Sequence, residues 1–550
     1  MRQVVSAIMA FFVSIWSSLL TFCANFVNDY AFEVDFGSLS EILPNVKSNI
    51  NNYGGRFPEY PEINERYDPY EFVDYIQLME CTGGNSSRDL FLDPDDSTVL
   101  DDYDFSPLIS SCRGILKTGA KPLLKLGNVP AKLSRDAIAR SGLDTGDFDV
   151  NIYPPDDYGE YYDYICAVAR ALVGEFTLEE VRTWRFGVMT EYENRSWFMA
   201  PSGDPAQTAE AYCKLYDYTV QALIDVIGAD IFVGAHSMTC SEGLWDEREF
   251  IRHCGTGTNY ATGETGTRIC YLSSSYYEGS PGNVGGTLSI AQITELLRST
   301  AEEVGLTDLI YGVDEGRILC GTRSGSVDSQ LVSRTVGFTY QAAFDARLVK
   351  EMFDAGMNYF SSWDYCSFGN SGLPMVSCHV AANAAKFGGM NRASVTCAKQ
   401  GRLRNARVEC VAGCDPENRT ALVMAYNYKN SLDYLFTAET SYKLKVPFIT
   451  GGTAEVAMYV IDDDCNWFDE WNAVRDSLGV TDDKFAWSPD DGCPNFSDPE
   501  AAAVFRDWCA ANTKLAQLEP EVFTAEVKNG EIALEADLAP NAVVFFEISE

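Results

Sequence analysis

Histidine is scarce in this sequence: 550 residues hold three, His236, His253 and His379, far apart along the chain. A structural zinc site asks for four Cys or His ligands at short spacings. Cys410 and Cys414 form a CxxxC pair with no second pair nearby, so no metal site is expected. The seventeen cysteines are odd in number and lack the dense, regular spacing of a small disulfide-stapled domain, so most read as small core residues. Basic residues are also few: 41 Lys and Arg face 80 Asp and Glu, a formal net charge of -39. That balance opposes binding to nucleic-acid phosphates and anionic lipid surfaces, so no nucleic-acid partner is expected. Glycine-rich phosphate loops of the GxGxxG or GxxxxGK kind are missing after every strand-like segment, which removes the signature of a nucleotide fold.

Long apolar runs are missing too, except at the start. "MRQVVSAIMAFFVSIWSSLLTFCANF" places one Arg before an uncharged stretch reaching about Phe22. Residues 1–25 therefore read as a signal or membrane-anchor segment, which favours a secreted or anchored protein over a cytoplasmic one. What is abundant is core material: 46% of residues are hydrophobic and 13% aromatic, enough for two or more folded units at this length.

From about residue 70 to 395 short apolar runs alternate with amphipathic helical patterns, the signature of repeated βα units. "FVDYIQLM" reads as the first strand, followed by "AKPLLKLG", "WRFGVMT", "DIFVGAH", "RICYLSSSYY", "LIYGVDEG" and "MNYFSSWDY". Between them lie helical patterns such as "YYDYICAVARALVGEF", with Ile165, Val168 and Leu172 on one stripe; Thr177 and Glu180 in "TLEE" have capping-box spacing. The set fits a closed (β/α)8 barrel better than an open sheet. Beyond about residue 396 the period changes to two in "ARVECVAG", "TALVMAYNY", "YKLKVPFI" and "AEVAMYVID", and a hairpin turns at Asn529 and Gly530. An accessory C-terminal β-sandwich with helical insertions is expected over 396–550, and residues 26–69 read as an N-terminal extension that can pair with it.

Two barrel strands end in acid. In "WRFGVMTEYEN" the apolar pattern stops at Thr190 and Glu191 and Glu193 follow; in "LIYGVDEG" Asp314 and Glu315 follow Val313. The C-terminal ends of parallel strands form the mouth of such a barrel, so these carboxylates point at a ligand. Two carboxyl groups raised into one aromatic-lined cleft are the minimum equipment for cleaving a glycosidic bond. Trp197, Tyr277 and Trp363 are candidates to cover the apolar face of a sugar, and His236 is a candidate pocket or core residue at the end of its strand. Asn194, Asn418 and Asn495 begin N-x-Ser/Thr triplets, but a glycan on Asn194 would block the cleft, so that match is read as chance.

The segments "DFSPLISSCRGILKTGAKPLLKLGNVP", "YYDYICAVARALVGEFTLEEVRTWRFGVMTEYEN", "RICYLSSSYY" and "LIYGVDEG" resemble, in order and spacing, glycoside hydrolase family 39, which includes β-xylosidases and α-iduronidases. The resemblance implies a retaining glycosidase with its acid/base ending strand 4 and its nucleophile ending strand 7. The family's Trp seven residues before the acid/base matches Trp184 and Glu191, and the strand-7 signature selects Glu315 over Asp314. Tyr277 matches the family tyrosine that bonds the nucleophile, while Ser275 stands in place of a histidine and Thr190 in place of the asparagine that holds the sugar 2-hydroxyl. The first strand's usual Arg and His have no match in "YIQLMECTGG", which offers Gln77, Met79 and Glu80. What is implied is a divergent retaining glycosidase, β-xylosidase-like, acting on a glycoside or oligosaccharide without a cofactor. The alternative, motivated by Thr190 and Ser275, is a carbohydrate-binding or scaffold protein that kept the barrel and lost catalysis.

Overall fold

The computed structural model describes residues 29–550 apart from 53–54, 62–67, 69, 86, 142–148, 240–242, 279–287, 319–338, 364–370, 372, 402–406, 432–433, 482, 488–493 and 497. The signal or anchor segment read over 1–25 lies outside the described residues. No described helix is long and apolar enough to cross a membrane.

Strand β1 (Asp29–Ile42) precedes eight parallel strands that close into a barrel: β2 (Asn49–Asn52), β3 (Tyr75–Leu78), β4 (Lys121–Leu126), β5 (Arg185–Val188), β6 (Phe232–Ser237), β7 (Tyr271–Glu278), β8 (Ile310–Ile318) and β9 (Tyr359–Trp363). The first barrel strand is thus Asn49–Asn52, and the segment read from sequence as first is the second. Helices such as Tyr158–Phe176, Pro205–Ile227 and Ile290–Glu303 return the chain between strands. Asp157, Asp204 and Ser289 cap their first turns. The "TLEE" segment forms only the four-residue helix Leu178–Val181, with Thr177 accepting from the Glu180 N–H at 3.3 Å.

The two faces of the barrel strands have opposite chemistry. Outward residues, including Ile50, Ile76, Leu124, Phe186, Val233, Leu272, Val313 and Phe360, join one apolar core beneath the helices. Inward residues alternate with them and are polar or aromatic: Asn51, Gln77, Lys125, Arg185, His236, Tyr271, Asp314 and Tyr359. Branched apolar side chains normally fill such an interior. Here glycines make room for rings instead. A Cβ on Gly312 would stand 2.3 Å from the Tyr359 ring, and one on Gly234 would stand 2.4 Å from the Tyr271 ring.

Past the barrel come β10 (Asn391–Lys399), β11 (Arg407–Asp415), β12 (Thr420–Tyr428), β13 (Ala438–Lys445), β14 (Thr453–Ile461), the short pair β15 (Phe485–Trp487) and β16 (Pro494–Phe496), then β17 (Glu521–Glu526), β18 (Glu531–Leu538) and β19 (Val543–Ser549). All but β15 and β16 join β1 in a nine-stranded, mostly antiparallel sheet of order β17-β14-β19-β12-β11-β10-β1-β13-β18. The sheet folds over itself: four strands separate β13 from β19, yet the rings of Tyr442 and Phe546 meet at 5.1 Å across the second core. β1 lies between β10 and β13, antiparallel to one and parallel to the other. The inserted helices Trp467–Val474 and Pro499–Ala511 bury Trp471 and Phe505 against each other, in the core shared with the barrel.

Candidate active site

Glu191 is delivered by a turn that ordinary residues avoid. Trp184, fully buried, sets the start of β5 by donating its indole N–H to Glu180 at 3.0 Å. At the other end Met189 and Glu191 both adopt positive φ, 64° and 42°. Such backbone costs on the order of 1 kcal/mol or more per residue and persists only where the surroundings hold it. They do: Met189 N–H donates to Leu126 O at 2.6 Å, Tyr192 N–H to His236 O at 3.0 Å, and Asn194 N–H to Glu191 O at 2.7 Å.

The Glu191 carboxylate collects three donors. Ser275 Oγ reaches Oε1 at 2.5 Å, Asn194 Nδ2 reaches Oε2 at 2.6 Å, and the Trp197 indole also donates. Burial pushes the pKa above its ordinary value, and these donors only partly offset it. Glu193 turns away from this cluster. Its Oε1 accepts from the N–H groups of Met238 and Thr239 at 2.6 and 3.2 Å, which fastens the β5 loop to the β6 loop.

Across the mouth, Tyr277 donates its hydroxyl to Glu315 Oε1 at 2.5 Å. A register shift between Ser274 and Ser275 places Ser275 opposite Glu315 and aims successive residues of β8 differently. Asp314 looks down into the barrel, ion-paired with the fully buried Lys125 and accepting from the Tyr359 hydroxyl at 2.7 Å. Burial works against its ionisation, but Lys125 and the Tyr359 hydroxyl outweigh it and hold the carboxyl below its usual range. Asn51 and Gln77 donate to its backbone carbonyl at 3.0 and 3.2 Å. Carboxylate oxygens of Glu191 and Glu315 and a ring nitrogen of His236 all lie within 4.8 Å of one another.

Other residues singled out in the sequence stand as follows. Tyr277 is 9% exposed and touches Glu315. Ser275 and His236 are fully buried and bonded to each other at 2.9 Å; Ser275 reaches Glu191, and the other ring nitrogen of His236 faces Thr190. Thr190, 2% exposed, has its hydroxyl 3.5 Å from His236 Nδ1. Trp197 packs beneath the loop, 2% exposed, and offers its edge to Glu191 in place of a face to a sugar. Trp363 ends β9 opposite Asn51, and its side chain is outside the described residues. Met79 is buried and Glu80 pairs with Arg88. Asn194 is the residue that sequence reasoning passed over: its triplet drew attention to a glycan, while its place three residues after Glu191 was the useful signal. Lys125 was missed because a lysine inside an apolar strand reads as a solvent-facing charge.

Two roomy concavities lie elsewhere, of about 660 Å³ along β10 and β11 and about 1000 Å³ beside the helix Val376–Ala385. Neither holds a pair of buried carboxylates, so chemistry and not size selects the barrel mouth.

Residues 95–392, more than half of the chain, match the model of glycosyl hydrolases family 39. The chain belongs to that family. Among family-related proteins, a β-xylosidase of Caldicellulosiruptor saccharolyticus is 24% identical over 265 residues, which cover 47% of this chain and 49% of that protein. An α-L-iduronidase of Homo sapiens is 27% identical over 118 residues, covering 21% and 17%. The chain therefore spans about half or less of the length of these relatives. A crystal structure of a monomeric β-xylosidase from Caulobacter crescentus superposes with a TM-score of 0.60 at 17% identity, over 94% of this chain and 99% of that one. A bacterial orthologue of human α-L-iduronidase gives 0.62 at 14%, over 95% and 84%. At these identities the structures speak to the fold alone: family 39 in this chain means an eight-stranded barrel joined to a β-sandwich.

Proposed function

We propose that the protein is a retaining glycoside hydrolase, β-xylosidase-like, that cleaves O-glycosidic bonds by double displacement. The observation that carries this reading is the pair of carboxylates from the ends of β5 and β8, with oxygens within 4.8 Å. Retaining enzymes hold their two carboxyl groups about 5 Å apart, whereas inverting enzymes leave roughly 6.5–9.5 Å for a water.

In the first step Glu315 attacks the anomeric carbon while Glu191 gives its proton to the departing oxygen. In the second, Glu191 takes a proton from the water that displaces Glu315 from the sugar. The surroundings suit this division. Burial raises the pKa of Glu191, the direction an acid needs, and Glu315 accepts a short hydrogen bond from Tyr277, as an anion should. Thr190, Tyr277 and Trp363 are the candidates to meet the sugar, while Ser275, His236 and Trp197 support Glu191. The names of the relatives favour a xyloside as the first substrate to try.

The test is hydrolysis of aryl and alkyl β-xylosides with the product anomer followed by NMR. Retention of configuration is expected. Glu315→Gln should lose nearly all turnover on both substrates, and Glu191→Gln should lose far more on the alkyl xyloside than on an activated aryl one. Inversion, or no release from any glycoside of a broad panel, would overturn the reading.

A further inference from the structure

Along β8 the side chains alternate until the acids. Tyr311 and Val313 lie in the apolar core outside the barrel, and Asp314 turns inward to Lys125 and Tyr359. Strict alternation would send the next residue, Glu315, outward again. Instead Glu315 stands opposite Ser275 in the ladder with β7, takes the Tyr277 hydroxyl at 2.5 Å and shares the mouth with Glu191. The register explains this. Val313 pairs with Ser274 and Glu315 with Ser275, so Asp314 is the extra residue of a β-bulge, a device that re-aims a side chain and is rare between parallel strands. The register with β9 ends at Val313, one residue before the bulge.

The bulge is held from inside the barrel. Asn51 Nδ2 of β2 and Gln77 Nε2 of β3 reach the Asp314 carbonyl oxygen at 3.0 and 3.2 Å. A carbonyl oxygen can only accept, so both amides must present their NH2 groups to it. Both side chains are fully buried, and neither amide oxygen has a hydrogen-bond partner among the described residues. Apolar side chains would fill the same space without burying those oxygens, so the contact with Asp314 is what the two amides contribute. The Asp314 carboxylate is held as well, by Lys125 and by Tyr359, whose ring lies in the room left by Gly312. The carbonyl matters most for the next residue, because it belongs to the peptide unit that contains the Glu315 nitrogen. That unit is planar, so holding its oxygen sets the plane from which the Glu315 side chain departs.

We propose that Asn51 and Gln77 are positioning residues for Glu315, holding the Asp314–Glu315 peptide so that the carboxylate reaches the anomeric carbon. The inference rests on the reading of Glu315 as nucleophile. With apolar side chains in place of both amides, the buried carbonyl loses its two donors, and the peptide plane is driven to turn toward another partner. The carboxylate moves with it. A misplacement of about 1 Å costs an attacking group roughly 100-fold, while sugar binding, which draws on other groups at the mouth, suffers less.

The experiment follows inactivation by 2,4-dinitrophenyl 2-deoxy-2-fluoro-β-xyloside, with the labelled residue found by peptide mass spectrometry. A Glu315 oxygen bonds to the anomeric carbon as the bond to dinitrophenolate breaks and its electron pair leaves with that group. No proton from Glu191 is needed, and the fluorine slows the later attack of water by destabilising the oxocarbenium-like transition state, so the adduct accumulates. Asn51→Leu with Gln77→Met should lower the limiting inactivation rate constant about 10–100-fold and change the inactivator's Ki by no more than about 3-fold. Either change alone keeps one amide on the carbonyl and should cost about 3–10-fold. Ile76→Val loosens the outer core on the strand of Gln77 without touching Asp314, and should leave the rate constant unchanged. The inference is overturned if wild type is labelled on Glu315 while the folded single and double variants react at its rate, if the loss lies in Ki alone, or if Ile76→Val loses as much. A wild-type enzyme not labelled on Glu315 would instead remove the nucleophile reading, and this inference with it.

Discussion

Asp314 and Glu315 are neighbours in the chain with opposite surroundings. Glu315 meets the Tyr277 hydroxyl at the mouth, whereas Asp314 pairs with Lys125 where both side chains are fully buried. Breaking a buried ion pair leaves an uncompensated charge, which costs about 3–5 kcal/mol. Asp314→Asn should therefore destabilise the protein by an amount of that order, measured by urea denaturation. Lys125→Met together with Asp314→Asn should cost much less than the single change, because both charges are then gone. If Asp314→Asn were as stable as the wild type, Lys125 would have to be neutral already, and the ion pair would carry no weight in the barrel.

At the scale of elements, the barrel interior explains both a prediction and the limits of reading the chain. Gly312 lies against the ring of Tyr359, so Gly312→Ala is an overpacking change and should cost about 1–3 kcal/mol in a urea melt. Tyr359→Leu in the same chain should relieve part of that strain, giving a double variant more stable than the sum of the two single changes predicts. An additive result would mean that the ring is not what the new methyl group meets. The strand ends were legible in sequence, because β5 and β8 alternate an apolar outer face with a small or polar inner one before reaching their acids. The segment Asn49–Asn52 was not legible as a strand: four residues with a single apolar side chain, Ile50, show no period. Its inward Asn51 makes sense only when Asp314, 263 positions later, supplies a carbonyl to bond. His236 was visible as a residue and opaque as a part, since its bond to Ser275 depends on two strands standing side by side. Trp184 and Glu191, seven apart in one segment, needed no such closure to be noticed.

The whole molecule is tied together by its described N-terminal strand. β1 lies between β10 and β13, and its Tyr30, Phe32, Val34 and Phe36 are buried in the second core. Removing residues 29–42 would open two strand edges in the middle of a sheet and strip four large side chains from its core. Such a truncated protein is expected to aggregate and to lose the cooperative thermal transition of the sandwich, as seen by calorimetry. Open edges of this kind invite pairing with other chains. A soluble truncation with an unchanged melting profile would show that the sheet closes without β1.

The placement of β1 also orders events during synthesis. Its hydrogen-bonding partners begin at Asn391 and end at Lys445, so a growing chain carries this aromatic ribbon unpaired while the ribosome makes the entire barrel. Until those last strands emerge, Tyr30 to Phe36 must be shielded by something other than their final neighbours, and a chaperone that holds extended hydrophobic segments would find its natural client there.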